Sequence, residues 1–286
     1  MKKIGILYHP MIEATRLKAE EIKGVLDTRG FLTWLCSAWE TKEAKAKLDD
    51  TSLILTVGGD GTILRAAQVA VARATPITGI NLGKLGFMTE LRADEAIEKL
   101  AVLLTDEGWN DERAMLEVEC STQGQEPATY HALNDVVVAR GAIARAISLE
   151  TSIDDQHLTT YRADGVILAT ATGSTGYTLA AGGPILYPQC RDFLLLPIVP
   201  HLSMNYPLVL SQSAVVKLNV KTAHEATLSI DGHINLPLHN GAKVTIKLSP
   251  KTTRFWRIQP QSSFYGSMEE RLKGKNWREP SRKSQD

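Results

Sequence analysis

The sequence predicts an α/β N-terminal domain built on a parallel, Rossmann-like sheet, followed by a β-rich C-terminal domain. Three observations carry this expectation. Up to about residue 110, short apolar runs alternate with segments whose apolar residues recur at three- and four-residue spacing, the pattern of strands wrapped by crossover helices. Beyond Trp109, one strand-type run follows another with turn residues between them. Within the first part, a glycine-rich turn joins a wholly apolar strand directly to an apolar helix.

Taken in order, Lys3–His9 reads as the first strand. Glu13–Arg29 places Ala19, Ile22, Val25 and Leu26 on one helical face and stops at Gly30. Phe31–Cys36 and Ser52–Val57 read as the second and third strands, the latter apolar on both faces. Ile63–Ala74 is a helix apolar enough to be buried, Thr75–Asn81 the fourth strand and Ala93–Thr105 a further helix. The β-rich part is read as strands at Ala114–Cys120, Tyr130–Ala139, Ala146–Ile153, Val166–Ala171, Leu208–Ser211, Val215–Val220, Thr227–Ile230 and Lys243–Leu248. This divides the chain into 1–110, 111–261 and a C-terminal tail, 262–286, expected to pack back on the first domain. The tail is expected to form one helical turn around Glu270–Leu272 and to fray at its Ser/Lys-rich tip.

Composition narrows the function. With 286 residues and 43% apolar residues, the chain can bury a substantial core. Lys plus Arg and Asp plus Glu are 32 each, so no global field holds nucleic acid or an anionic membrane, and any anion site must be built locally. Cys36, Cys120 and Cys190 lack CxxC spacing and are expected to be reduced, buried thiols. No apolar run of about 18 residues occurs, and the apolar stretch at the N-terminus is too short for a signal peptide. The expectation is a cytoplasmic protein with neither nucleic-acid nor membrane partner.

The turn after the third strand is Gly58-Gly59-Asp60-Gly61-Thr62. Glycines let a backbone approach a phosphate closely, and a helix N-terminus supplies free N–H groups and the positive end of the dipole. A carboxylate beside a phosphate is unfavourable unless a metal lies between them or the carboxylate takes a proton, so Asp60 points to phosphoryl transfer. An isolated GGDG reads equally well as a tight bend with Asp60 capping the helix. A second segment, Asp164–Pro184, ends a strand in a Thr/Gly/Ser cluster (Thr172, Gly173, Ser174, Thr175, Gly176) followed by Tyr177, Thr178, Leu179 and Ala180. Such dense hydroxyls and small residues suit a pocket for a sugar or amide, with Tyr177 stacking on a planar ring; the bland reading is a tight turn with a core tyrosine. Asn134-Asp135 can read hydroxyls and an amino group, although an Asx turn before a strand is the commoner explanation. Arg65, Arg145 and Arg162 are the basic side chains nearest these motifs and the candidates for phosphate, each equally readable as a solvated arginine. His9, His131 and His201 share no metal-ligand spacing and are assigned structural roles.

GGDGT, then the Asn-Asp pair, then DGVILATATGSTGYTLAAGGP at Asp164–Pro184, in that order, resembles the NAD kinase family over nearly the whole chain. Further similarity lies in Gly83–Phe87, Pro200-His201, Pro207–Val209, Asp231–His233 and the Phe264-Tyr265 and Trp277-Arg278 tail. GGDG alone occurs in lipid kinases and phosphofructokinases; the third block discriminates. Ala171 stands where the family usually has Pro, and Gly176 where it usually has Ala. The resemblance implies phosphoryl transfer from ATP to the 2′-hydroxyl of the adenosine ribose of NAD, with Mg²⁺ or another divalent cation. It implies NAD bound between the domains in a homo-oligomer, dimer or tetramer. Asp60 would be the general base, with Gly58, Gly59, Gly61, Thr62, Arg65 and Phe87 around the sugar and phosphates. Asn134, Asp135, Thr172, Thr175, Gly176, Tyr177, Thr178, Leu179 and Ala180 would line the nucleoside pockets. Asp164 would contact a nucleoside, across a subunit contact in one version. Asp231 and His233 would close the site, and no protein metal ligand is assigned. The competing readings are another GGDG-type kinase, of the diacylglycerol or sphingosine kind, and a non-catalytic NAD(P)-binding regulator.

Overall fold

In the computed structural model, residues 2–83, 86–105, 107–121, 126–141, 145–201 and 204–272 are described. The expected frayed tip, the Trp277-Arg278 match and Lys84-Leu85 lie outside them. The first part is β1 (Lys3–Tyr8), α1 (Glu13–Thr28), β2 (Leu32–Ser37), α2 (Thr41–Ala46), β3 (Thr51–Val57), α3 (Asp60–Ala70), β4 (Ile77–Asn81), β5 (Leu91–Arg92) and α4 (Ala96–Leu103). The remainder is β6 (Trp109–Ser121), β7 (Ala128–Ala132), β8 (Asp135–Arg140), β9 (Ile147–Ile153), β10 (Gln156–Ala163) and β11 (Gly165–Ala169). A 3₁₀ turn (Gly173–Thr175), α5 (Tyr177–Ala180), β12 (Phe193–Ile198), β13 (Leu208–Leu210), β14 (Val215–Lys221), β15 (Ala226–Ile230), β16 (Ile234–Leu238), β17 (Lys243–Arg257), α6 (Ser263–Gly266) and α7 (Met268–Leu272) complete it.

The α/β part is a parallel sheet in which β1 lies between β2 and β3, β4 follows β3, and β5 follows β4. Side-chain alternation divides its core between two faces. Ile4, Ile6, Leu53, Leu55 and Val57 pack with Ala19, Ile22 and Leu26 of α1 on one face; Leu7 and Ile54 pack with Ile63, Ala66 and Ala67 of α3 on the other.

The β-rich part is two face-to-face antiparallel sheets. One runs β13-β12-β11-β8-β15-β16; the other contains β6, β7, β9, β10, β14 and β17 and continues into the parallel sheet, because Phe255 at the end of β17 pairs with Ile77 of β4. Their shared core takes Val136, Val138, Val166 and Leu228 from the first sheet and Leu116, Val118, Val216 and Val244 from the second. α/β architecture followed by antiparallel sheets is the fold class expected.

Several details depart from expectation for physical reasons. α3 begins at Asp60 rather than Ile63, so Asp60-Gly61-Thr62 is its first turn, and it ends at Ala70. The expected strand Tyr130–Ala139 is two strands, broken at Leu133-Asn134, where the backbone is claimed by other segments. β10 is a polar edge strand, and β12 and β16 carry Pro197 and Pro237, so none shows a clean strand pattern. Cys36 and Cys120 are buried and Cys190 is partly exposed; all three are free thiols.

Candidate active site

Leu64 and Gln68 of α3 face the β-rich part, and Asp60 precedes them on the same four-residue spacing. Leu64 lines a cavity of about 370 Å³ together with Asn134, Asp135, Val137, Tyr177, Ser229, Asp231 and Gly232. Asp60 stands one turn nearer the helix N-terminus, about 6 Å along the axis from Leu64. Gln68 donates to His131 O at 2.6 Å and to an Asp231 carboxylate oxygen at 3.2 Å, tying the helix to the opposite wall.

That wall follows from strand direction. β8 runs antiparallel to both neighbours, so its beginning meets the ends of β11 and β15: Asp135 pairs with Ala169, and Asp231 N–H donates to Asp135 O at 2.9 Å. Asp231, in a left-handed backbone conformation (φ 49°), turns its carboxylate inward. One oxygen accepts from the N–H groups of Asn134 (2.7 Å) and Asp135 (3.2 Å), the other from Leu133 N–H (2.9 Å) and Gln68. Burial pushes Asp231 up, while three backbone N–H groups and His233 pull it down. Four donors hold it as the ionised member of a pair with Asp135, so both its oxygens brace the wall. His233 is held by its Nδ1, 3.0 Å from Asp231 O.

Among the described residues, Asp135 has no such donors. Burial, with repulsion from Asp231, pushes its carboxyl up to about 7. Among the described residues the neighbouring Asn134 Oδ1 is buried and unpartnered, while Tyr177 is 46% exposed at the cavity mouth; the hydroxyls of Thr62 and Thr178 are also unpartnered but lie outside the cavity lining. A cavity with an aromatic wall and unspent polar atoms suits a nucleoside.

The Thr/Gly/Ser turn is wound tightly against the break in the strands. Thr170 donates its hydroxyl to Leu133 O at 2.6 Å and its N–H to Asn134 O. A Cβ on Gly173 would lie 2.0 Å from Asn134 O, so that position admits no side chain. On Gly176 a Cβ would meet Gly173 O at 3.3 Å, a tight fit, with Asn134 Nδ2 at 3.5 Å and Asp135 Oδ2 at 3.9 Å in ordinary contact, so a methyl here requires a shift of a few tenths of an ångström in the turn. Ala171 is buried within the turn. Ser174 braces it through Ala171 O and Leu186 N–H, and Thr175 through Thr172 O. Leu179 and Ala180 continue into α5, partly buried and exposed respectively.

Asp60 makes no cap on its own helix. Its carboxylate accepts from Phe87 N–H at 3.0 Å and Met88 N–H at 3.2 Å, and a Cβ on Gly86 would lie 2.3 Å from it. Burial raises its pKa; those two N–H groups and then Arg271 and Arg257 act against the rise. This excludes the reading of Asp60 as an N-cap. On another face of α3, Arg65 sits 4.0 Å over the Trp39 ring, and no carboxylate pairs with it among the described residues. His9 packs edge-on to Trp39 at 4.5 Å.

Three sequence candidates do not join this site within one chain. Asp164 follows β10 and pairs with Arg140 at 2.7 Å. Asp135 and Arg140 are the two ends of β8, about 17 Å apart at the strand rise, so the Asp164–Arg140 pair occupies the far end of the sheet. Arg162 on β10 and Arg145 before β9 are exposed beside that end. Conversely, sequence reasoning missed Gln68, and also Glu90, Asp111, Arg113, Arg257 and Arg271 behind Asp60. No motif marks these six: Gln68 lies on α3, and the other five are isolated residues brought together by β6, the return of β17 and the tail.

Residues 11–108 match the family model described as the ATP-NAD kinase N-terminal domain and residues 133–258 the ATP-NAD kinase C-terminal domain. An NAD kinase of Dehalococcoides mccartyi is 46% identical, the match covering 96% of this chain and 97% of that protein; one of Chloroflexus aurantiacus is 37% identical over 96% and 99%. Among solved structures, a yeast NADH kinase complexed with NADH aligns at TM-score 0.83 and 25% identity, over 97% of this chain and 89% of that one. An NAD kinase from Archaeoglobus fulgidus in complex with ATP aligns at TM-score 0.74 and 26% identity, over 93% and 98%. With both domains matched and relatives aligned nearly end to end, the chain belongs to the NAD kinase family.

Proposed function

We propose that this protein transfers a phosphoryl group from ATP to the 2′-hydroxyl of the adenosine ribose of NAD, giving NADP, with Asp60 as the general base. The observation that carries the assignment of roles is the stripe Asp60–Leu64–Gln68, which supports a base on the same helix face as the nucleoside-sized cavity. In this reading Asn134 Oδ1 accepts from a ligand amino group, Asp135 from a ribose hydroxyl, and Tyr177 stacks on a base. The GGDGT backbone and Arg65 take the donor's phosphates. A positioned base of this kind is worth about 10²–10⁴-fold in rate.

The family reaction also calls for a divalent cation. Asp60 already accepts from two backbone N–H groups and is assigned to the proton, and Asp231 is occupied by four donors. Among the described residues, the one group that gathers three metal-type ligands is Cys36, Glu40 and Glu43, on and beside α2 away from the cavity. These residues do not fit a resident ion in the site. Mg²⁺ is therefore assigned to the ATP it arrives with, as Mg²⁺ commonly keeps waters and phosphate ligands.

We further propose a cytoplasmic homo-oligomer, dimer or tetramer, in which Asp164, Arg145 and Arg162 serve a neighbouring subunit's site. The exposure of Arg145 and Arg162 at the far sheet end, beside the half-buried Asp164, supports this. No described helix is long and apolar enough to cross a membrane. The test is NADP formation by purified protein from NAD or NADH, with ATP or polyphosphate as donor and Mg²⁺ present. Absence of NADP under every combination would reject the assignment.

A further inference from the structure

Behind Asp60 the structure holds a relay that no motif announces. The two peptide groups Gly86–Phe87 and Phe87–Met88 each make the same pair of contacts. Their N–H groups donate to the Asp60 carboxylate, at 3.0 and 3.2 Å. Their C=O groups, those of Gly86 and Phe87, accept from one nitrogen of Arg271, at 2.6 and 2.9 Å. A cation at the oxygen end and an anion at the hydrogen end polarise an amide in the same sense, so each contact strengthens the other. The next carbonyl, Met88 O, accepts from Arg257 at 2.8 Å.

We propose that Arg271, on the C-terminal tail, is a positioning residue for Asp60, acting through these two peptide groups to fix its carboxylate and keep it ionised. This rests on the reading of Asp60 as the base. Three features support it beyond the contacts themselves. The tail is seated just before α7 by Phe264 and Tyr265 of α6 packed on Tyr187, at 5.7 and 5.8 Å between ring centroids, a contact that does not involve Arg271. Gly86 admits no Cβ against Asp60, so turn and carboxylate are fitted to one another. The charges behind the site are matched: Arg271 from α7, Arg257 from β17 and Arg113 from β6 face Asp60, Glu90 and Asp111, with Arg257 bonded to Glu90 and Asp111, and Arg113 to Asp111. Removing Arg271 leaves the carboxylates in excess, and burial then works on Asp60 with less opposition.

The test is the pH profile of kcat/KM for NAD at saturating ATP in wild type, Arg271→Leu, Arg271→Lys and Asp60→Asn. Arg271→Leu is expected to move the acidic limb up by about one pH unit, with activity recovering towards wild type at high pH, because loss of a partner cation typically raises a carboxylate by one or more units. Arg271→Lys, retaining charge and donors, is expected to restore most of the limb and to serve where the leucine variant does not fold. A uniform drop at every pH, or a leucine or lysine profile that tracks wild type in one and fails equally at all pH in the other, would overturn the proposal. If Asp60→Asn abolishes turnover while the Arg271→Leu limb stays in place, Asp60 stands and Arg271 falls. If Asp60→Asn turns over normally, the underlying reading of Asp60 has failed instead.

Discussion

Asp135 offers a quantitative check on the site's electrostatics. Its carboxyl is pushed up to about 7 by burial first and by the ionised Asp231 second. In the unfolded chain it returns to the usual carboxylate value near 3.9. Between these values the folded protein holds a proton that the unfolded chain has released, so stability is greatest at low pH and falls as pH rises through the window, then levels off above about 7. Each pH unit inside the window is worth about 1.36 kcal/mol, so going from pH 5 to pH 8 costs the ligand-free protein about 2.7 kcal/mol from this group alone. At about 2.1 cal/mol/K of unfolding entropy per residue, 286 residues convert that to about 4–5 °C in Tm. Asp135→Asn deletes the ionisable group while keeping its shape. Thermal melts of both proteins without ligand, at pH 5 and pH 8, give the difference of differences, in which titrating groups not coupled to Asp135 cancel. The variant should lose about 4–5 °C less than wild type across that interval. Parallel profiles would mean that Asp135 is ionised throughout and that the pairing with Asp231 has been misread.

Further predictions follow from named contacts. Asp231→Ala strands the N–H groups of Leu133, Asn134 and Asp135 and should destabilise the fold by about 3 kcal/mol or more in urea melts, whereas a loss under 1 kcal/mol would show that the wall has other support. Tyr177→Ala should raise KM for NAD far more than KM for ATP, since the ring lines the nucleoside cavity; equal effects would move it out of the NAD side. Gly176→Ala should be tolerated and shift KM for NAD by no more than about tenfold, the worth of a single methyl-sized contact, while Gly173→Ala should give little folded protein because its Cβ meets Asn134 O at 2.0 Å.

The elements with a strong period were legible in the sequence. β1, α1, β3 and β4 lie within a residue or two of expectation because their apolar faces are buried as the spacing demands. β10, β12 and β16 were not, since an edge strand needs no inner apolar face on both sides and a proline masks a strand. At the site, the motifs marked Asn134, Asp135, Tyr177 and Asp231, which line the cavity, but not Leu64, Val137 and Ser229, which line it as well and carry no motif. They could not show that Asp60 bonds across to the 86–88 turn, 27 and 28 residues on, nor that a tail residue meets that turn from behind: Arg271 reaches Gly86 O at a sequence separation of 185. Nor could adjacency in sequence place Arg145, Arg162 and Asp164. An antiparallel strand carries residues only a few positions apart to opposite ends of a sheet.

The central claim, that Asp60 is the base of an NAD-phosphorylating site, is tested most directly by NADP formation in the Asp60→Asn variant, with NAD binding measured in parallel. The account predicts a fall in kcat of about 10²–10⁴-fold, with NAD affinity within a few-fold of wild type. Turnover close to wild type would contradict it.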